Sequence, residues 1–194
     1  MRSDVDIFLV RHGESVWNSR NLVQGQSPHA PGLTTVGKKQ AVALARTLGC
    51  IDSQLVISSD LSRAVETGLP IANVLNVPLK TDPRLRERGF GVLEGSSNEH
   101  IESITLGIDG TSVTNIDAKA PGGESLRDFY ARIADFFSDE QTLQSDRPIV
   151  VVTHGGVVRM AIACLSDAHL DNVAWIEVPN ASITKIAKRS HRQP

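Results

Sequence analysis

Cysteine and aromatic residues are scarce in this chain of 194 residues, which has two cysteines and an aromatic content of 4%. Two cysteines are too few for a disulfide scaffold, and neither lies in a Cys/His cluster with metal-ligand spacing. Cys50 ends one predicted helix and Cys164 lies inside another, so we expect buried free thiols rather than a disulfide. The sequence predicts neither a metal nor a cofactor.

Long apolar runs and basic blocks are also missing. No stretch approaches the roughly 18 apolar residues of a membrane span, and the apolar run at 6–10 is too short for a signal-peptide core. The formal charge is −2, and the basic residues of the tail at 185–192 are interpreted as a solvated end. Nucleic acids and anionic membranes are bound by basic faces. We therefore expect a cytoplasmic protein that binds neither.

Strand patterns recur along the chain as short apolar runs bounded by polar residues. They predict strands at residues 6–10, 55–59, 78–85, 149–152, 175–178 and 182–187. Pro83 places the strand at 78–85 at an edge or breaks it. The last two strands would form a hairpin through Pro179-Asn180.

Helical periodicity separates these strands. It predicts helices at residues 37–49, 61–75, 126–137 and 157–165, with a further short helix at 98–106. Gly49 indicates a helix end, Pro70 a kink or a split, and Ser125 with Asp128 an N-cap. Alternation of this kind predicts an α/β fold in which helices cover both faces of a mostly parallel sheet. We expect one domain over residues 1–194.

Charged or titratable residues follow four of the predicted strands. Arg11-His12 follows the first strand, residues 59–63 the second, residues 85–88 the third and His154 the fourth. The carboxyl ends of parallel strands meet at one sheet edge, which is where open α/β sheets bind ligands. Two arginines and two histidines there predict a positive pocket, and guanidinium groups match phosphate oxygens bidentately.

The same residues lie in ordered motifs that resemble the histidine phosphatase superfamily, which has the phosphoglycerate-mutase-like fold. The matching stretches cover about residues 7–160. They are Leu9-Val10-Arg11-His12-Gly13-Glu14-Ser15, Asn18, Leu33-Thr34, Gly37, Ser58-Ser59-Asp60-Leu61-Ser62-Arg63-Ala64, Thr67, Leu85-Arg86-Glu87, Phe90-Gly91, Glu94-Gly95, Gly122-Gly123-Glu124-Ser125 and Val152-Thr153-His154-Gly155-Gly156. The resemblance implies a three-layer αβα sandwich and phosphoryl transfer through histidine.

The resemblance also implies the roles of the central residues. His12 would be the nucleophile that forms a phosphohistidine, and nearby positive charge would keep it neutral. Arg11, Arg63 and His154 would bind the phosphoryl group, with His154 expected as an imidazolium. The alternatives are a structural histidine at position 12, a surface arginine at position 63 and a core histidine at position 154.

Glu87 is the expected general acid and base. It would protonate the leaving oxygen and then activate the water that hydrolyses the intermediate. Because Arg86 and Arg88 flank it, a salt-bridged loop residue is the alternative, and Glu94 is a second carboxylate nearby.

Four further residues are expected to bind substrate. By resemblance, Asn18 and the pair Gln24-Gly25 contact the phosphate or the rest of the substrate, and Gly155 presents its backbone N–H to an anion. A plain turn at Gln24-Gly25 and a tight turn at Gly155 are the competing interpretations.

Two sequence features favour a phosphatase over a cofactor-dependent phosphoglycerate mutase. Residues 101–118 contain no lysine or arginine for a second anionic group, and Gly89 stands where mutases have histidine. A mutase, or a catalytically silent protein that binds a phospholigand, are the alternatives. The expected partner is a small phosphorylated metabolite whose identity depends on loops 19–31 and 96–120. The oligomeric state stays open, with a homodimer as one alternative.

Overall fold

The computed structural model describes residues 5–98, 116–139, 141, 143, 145–165 and 176–188. Five strands form one sheet in the order β3-β2-β4-β1-β5. They are β1 (Val5–Arg11), β2 (Val56–Ser58), β3 (Leu79–Thr81), β4 (Ile149–Thr153) and β5 (Ile183–Lys188). The four strands from β3 to β1 are parallel, and β5 is antiparallel to β1 at the edge. The mostly parallel sheet is therefore confirmed.

Five helices accompany the sheet in the described part of the chain. They are α1 (Val16–Ser19), α2 (Thr35–Leu48), α3 (Ser62–Leu75), α4 (Leu126–Ser138) and α5 (Gly155–Leu165). Thr34 caps α2 by accepting a hydrogen bond from the Gly37 N–H, and Ser125 forms a capping box with Asp128 on α4, as predicted. Helix α5 begins two residues earlier than expected, and α1 lies where no helix was predicted.

Alternation along the strands divides the core into two layers. Ile7 and Leu9 of β1 pack with residues of α4 and α5, whereas Val10 packs with residues of α2 and α3. Ile149 and Val151 of β4 face the first layer. Helices thus cover both faces of the sheet, and the three-layer αβα sandwich is confirmed.

Several predictions of local structure were wrong. Pro70 does not split α3, which continues to Leu75 because Ile71 and Ala72 beyond the proline are buried in the core. The strand at 78–85 is confined to β3, since Asp82 caps a 3₁₀ turn at Pro83–Leu85. Its edge position is confirmed. Most of the possible helix at 98–106 lies outside the described residues.

The structure also differs from the prediction at residues 176–179 and in the burial of the cysteines. Residues 176–179 are irregular, because arginine side chains rather than a strand bind the carbonyls of Ile176 and Val178. No hairpin forms there, and Trp175 lies outside the described residues. Cys50 is exposed and Cys164 half-buried, both free, so the expectation of two buried thiols was wrong. Cys50 follows the end of α2 and is therefore not on the apolar face of that helix.

The pairing register brings the ends of three strands together. Arg11 is paired with Thr153, and Ser58 with Val152. The chain continues the pattern past the strands, because the His12 N–H donates to the Thr153 carbonyl at 2.9 Å and the Ser59 N–H to the Val152 carbonyl at 2.9 Å. The residues that follow β1, β4 and β2 therefore lie side by side.

Helix α2 approaches the loop after β1 so closely that Gly37 has no room for a side chain. A Cβ there would stand 2.0 Å from the Glu14 carbonyl oxygen. We expect Gly37→Ala to lower the free energy of unfolding by about 1–2 kcal/mol, because overpacking costs about 1–3 kcal/mol and exceeds the ~1 kcal/mol that alanine gains in a helix. Urea unfolding measures the change.

The control is the exposed Val36→Ala, which should stay within about 0.5 kcal/mol of wild type. If Gly37→Ala were as stable as wild type or more stable, the packing argument would be contradicted.

Candidate active site

His12 lies buried at the end of β1 with one ring nitrogen committed. Its Nδ1 is 2.7 Å from the Gly13 carbonyl oxygen, so Nδ1–H is the donor and Nε2 keeps its lone pair. The ring is 3% exposed. The sequence places a histidine here, and the structure adds that Nε2 is the nitrogen free to react.

Hydrogen bonds to Thr67 and from Asn180 fix the backbone at His12 and Gly13. The Gly13 N–H donates to Thr67 Oγ1 at 3.0 Å. Asn180 donates from Nδ2 to the His12 carbonyl at 3.2 Å and to Asn18 Oδ1 at 3.1 Å. Sequence reasoning missed Asn180, because an asparagine after a proline is typical of an ordinary turn.

His154 completes a pair of buried imidazoles. Its ring is fully buried, and the ring centroids of His12 and His154 are 5.1 Å apart in an edge-on arrangement. His154 Nε2 is 2.9 Å from Ser59 Oγ. Ser59 lies in the Ser58–Ala64 motif, and the sequence pattern predicts no role for it.

Two arginines adjoin the histidines. Arg63, 1% exposed, donates from Nη2 to the Gly25 carbonyl at 2.8 Å, and Arg11 donates from Nη1 to the Val178 carbonyl at 2.5 Å. These carbonyls orient the guanidinium groups without neutralising them. The surface position considered for Arg63 is therefore wrong.

Three buried nitrogens of this cluster lack a hydrogen-bond partner among the described residues. They are Arg11 Nε, Arg63 Nε and His154 Nδ1. A guanidinium Nε–H is always a donor, and buried donors are normally satisfied. Such donors at the end of a parallel sheet suit an anion with several oxygens.

The Glu87 side chain contacts the first turn of α5, and among the described residues it forms no salt bridge with Arg86 or Arg88. Its carboxylate accepts hydrogen bonds from the Arg88 N–H at 2.9 Å and the Gly156 N–H at 3.1 Å. Arg86 pairs instead with Asp60, and Arg88 donates to the carbonyls of Glu124 and Ala118. Both flanking arginines are thus occupied elsewhere, and the salt-bridged alternative for Glu87 was wrong.

The loop that carries Glu87 is itself braced. Arg132 forms a bidentate ion pair with Glu124 and donates to the carbonyls of Arg84, Arg86 and Glu87. Gln26 donates to the Glu87 carbonyl at 2.9 Å. Sequence reasoning missed both, since nothing in the pattern links α4 to this loop. Glu94 accepts from the N–H groups of Gln26 and Phe90, which makes it a support of the loop.

The positive charge of the site keeps the histidines neutral. Burial, and then the charges of Arg63 and Arg11, hold the pKa of His12 well below its usual 6.5. Burial, followed by the charges of Arg63, His12 and Arg11, lowers the pKa of His154 well below 6.5. A neutral His12 is as expected, and burial with the arginine charges favours the neutral form of His154 over the expected imidazolium in the ligand-free protein. Burial lowers the pKa of Arg63 to about 10, which leaves it charged at neutral pH.

The expected substrate-binding residues lie in different places. Gly155 lies beside the Arg11 guanidinium, because a Cβ on it would be 3.5 Å from Arg11 Nε. Asn18 Oδ1 is bound by Ser15 and Asn180, and Gln24 Oε1 accepts from Ser15 Oγ at 2.7 Å. Gln24 thus braces the loop through its oxygen, and the Gly25 carbonyl accepts from Arg63 Nη2 at 2.8 Å. Substrate contact by Asn18, Gln24, Gly25 and Gly155 stays a prediction.

Neither a metal site nor a membrane span is found in the described part of the chain. No three His, Cys, Asp or Glu side chains of these residues are grouped so that they could hold a metal ion. Of the helices described, none has the length and apolarity needed to cross a bilayer.

Comparison with known proteins agrees with this geometry. A model of the histidine phosphatase superfamily, branch 1, matches residues 7–193. The chain belongs to this superfamily.

Similar proteins within it carry both phosphatase and mutase names. The probable phosphoglycerate mutase GpmB of Enterobacter sp. strain 638 is 33% identical over 190 residues, which is 94% of this chain and 84% of that protein. A mycobacterial glucosyl-3-phosphoglycerate phosphatase, solved with VO3, superposes with a TM-score of 0.80 at 28% identity over 93% of this chain and 90% of that one. A phosphoglycerate mutase from Bacillus anthracis str. Sterne gives a TM-score of 0.78 at 26% identity, over 96% and 88% of the two chains.

The unsatisfied donors predict that inorganic phosphate stabilises the fold. A ligand that binds only the folded state adds about 2.7 kcal/mol at 100 times its Kd. Arg11→Met removes the unpartnered Nε–H and a positive charge, and should abolish most of the phosphate-dependent rise in Tm, measured by differential scanning fluorimetry. Arg127→Gln, which alters an exposed arginine paired with Asp117, is the control and should keep the rise. An equal rise in the Arg11 and Arg127 variants would contradict an anion site at Arg11.

The lowered histidine pKa values predict a loss of stability in mild acid. The unfolded chain takes up protons at these histidines near pH 6.5, whereas the folded protein takes them up only at lower pH. The free energy of unfolding should therefore fall as the pH drops below about 6.5. Urea unfolding at pH 7.5 and 5.5 should show a smaller drop for His12→Asn than for wild type. An exposed-site control, His29→Asn, should show the wild-type drop; equal drops in all three proteins would contradict the neutral assignment of His12.

Proposed function

We propose that the protein is a phosphatase that hydrolyses a small phosphate monoester through a phosphohistidine on His12. The observation that carries the proposal is a buried imidazole at position 12, fixed through Nδ1 and beside three buried nitrogens that have no hydrogen-bond partner among the described residues. A nucleophile must have a free lone pair, and a phosphoryl group needs fixed donors on its oxygens.

Binding places the phosphoryl group between Arg11, Arg63 and His154. Their unpartnered N–H groups donate to its non-bridging oxygens, where negative charge is concentrated. The guanidinium groups supply positive charge without a metal, so we propose metal-independent catalysis. Gly155, beside Arg11, is a further backbone donor at the beginning of α5.

In the first step, the Nε2 lone pair of His12 attacks phosphorus. The N–P bond forms as the ester P–O bond breaks, and the protonated carboxyl of Glu87 gives its proton to the leaving oxygen. The alcohol departs with that proton. His12 becomes a phosphohistidine, and Glu87 is left as a carboxylate.

In the second step, water attacks the same phosphorus atom. Glu87 takes a proton from the water while the N–P bond breaks, so inorganic phosphate is released and His12 regains its lone pair. Backbone N–H groups of Arg88 and Gly156 hold the Glu87 carboxylate between the two steps. One carboxyl group thus acts as acid and then as base.

The proposed substrate is a small phosphorylated metabolite. The chain resembles a glucosyl-3-phosphoglycerate phosphatase along most of both chains, which supports this class of phosphate ester without naming the member. A screen of phosphorylated metabolites with and without EDTA tests substrate and metal independence together. Loss of all activity in EDTA would contradict metal independence.

Phosphoglycerate mutase is the second candidate, favoured by the name of the relatives at 33–35% identity. A mutase must retain its phosphorylated intermediate against water and bind a second anionic group. Formation of 2-phosphoglycerate from 3-phosphoglycerate, stimulated by 2,3-bisphosphoglycerate and faster than hydrolysis, would favour the mutase over the phosphatase.

Replacing Glu87 should separate the two steps. With p-nitrophenyl phosphate, whose leaving group needs little protonation, Glu87→Gln should still release a stoichiometric burst of p-nitrophenol, while steady turnover falls by about 10²–10⁴-fold. Stopped-flow absorbance measures both phases. His12→Ala should show neither burst nor turnover, and the exposed Glu177→Gln should behave as wild type. Near-normal turnover of Glu87→Gln, or a burst from His12→Ala, would overturn the assignment.

A further inference from the structure

Ser59 is a fully buried residue that directly follows β2 and contacts His154. Its Oγ lies 2.9 Å from His154 Nε2 and accepts a hydrogen bond from the Leu61 N–H at 3.3 Å. Its backbone N–H is used by the Val152 carbonyl. The neighbouring Ser58 hydroxyl donates to the Ser59 carbonyl and does not contact the ring.

The partners of the Ser59 hydroxyl indicate the direction of the Ser59–His154 hydrogen bond. One lone pair of Ser59 Oγ accepts from Leu61, and if the second accepted from an Nε2–H, the hydroxyl proton would have no acceptor among the described residues. The arrangement that satisfies the buried hydroxyl is the one in which it donates to Nε2. A neutral imidazole that accepts at Nε2 carries its proton on Nδ1.

The Nδ1 atom of His154 is buried and has no hydrogen-bond partner among the described residues, and the same is true of Arg11 Nε and Arg63 Nε. With the proton on Nδ1, all three nitrogens are donors available to one anion. With the proton on Nε2, His154 would turn a lone pair toward the phosphoryl oxygens and repel them. The hydroxyl of Ser59 thus decides whether His154 attracts or repels the ligand.

We propose that Ser59 is a positioning residue that fixes His154 as the Nδ1–H tautomer, so that a neutral imidazole donates a hydrogen bond to the phosphoryl group. The proposal rests on the proposed function for the identity of that ligand. Burial and the neighbouring arginines also lower the pKa of His154, which favours the neutral imidazole. The tautomer then remains the property that controls donation.

Nuclear magnetic resonance of ¹⁵N-histidine-labelled protein tests the tautomer without any substrate. Two-bond ¹H–¹⁵N spectra at pH 7 should show His154, assigned by its loss in His154→Asn, with a protonated Nδ1 and an unprotonated Nε2. In Ser59→Ala the Nε2 signal should shift toward the protonated range. An Nε2–H tautomer or an imidazolium in the wild type, or an unchanged spectrum in Ser59→Ala, would overturn the proposal. The wild-type measurement does not depend on the variant being folded.

Kinetics with p-nitrophenyl phosphate test the consequence. Removing an oxyanion donor costs about 10²–10³-fold in kcat, and partial loss of the tautomer should cost about 10- to 100-fold. Ser59→Thr, which keeps the hydroxyl, should restore most of the rate, and Ser58→Ala should leave it unchanged. Equal losses in the two alanine variants would indicate a packing effect and overturn the proposal. If His12→Ala retains activity while the spectra show the Nδ1–H tautomer, the proposed function fails and the tautomer assignment stands.

Discussion

The burial of two guanidinium groups beside two imidazoles is the constraint that the rest of the site serves. Placing charge in the interior is costly unless it is paired. Here burial and the neighbouring arginines lower the pKa of both histidines, and three buried nitrogens have no hydrogen-bond partner among the described residues. The charge of Glu87 acts on both Arg11 and Arg63 and offsets part of the cost. The proposed anionic ligand would complete this balance.

The sheet makes this arrangement possible. Because β1, β4 and β2 are parallel neighbours in a fixed register, the residues that follow them meet although they are far apart in sequence. Close backbone approaches then fix the details. Gly156 is one of them, since a Cβ there would stand 2.2 Å from Oε1 of the Glu87 carboxylate that its own N–H binds, and would clash with it. His12, Arg11, Arg63 and Glu87 are thus held by backbone groups as much as by side chains.

Sequence reasoning succeeded where one pattern determines the outcome. Buried strands, amphipathic helices and the cap at Ser125 follow from periodicity and local hydrogen bonding, and the strand-end rule brings His12, Arg63 and His154 together. It failed where distant partners decide. The carbonyls of Ile176 and Val178 are used by arginines rather than by a strand, and the protonation of His154 depends on charges from other elements. Asn180, Arg132 and the role of Ser59 were missed for the same reason.

The central claim is that Nε2 of His12 attacks phosphorus, since Nδ1 is held by the Gly13 carbonyl. The most direct measurement is to quench the phosphorylated protein in alkali, digest it, and identify the modified peptide and phosphohistidine isomer by mass spectrometry against chemical standards. The account predicts phosphorylation of His12 alone, at Nε2. An Nδ1-phosphorylated isomer, or a phosphoryl group on another residue, would contradict it.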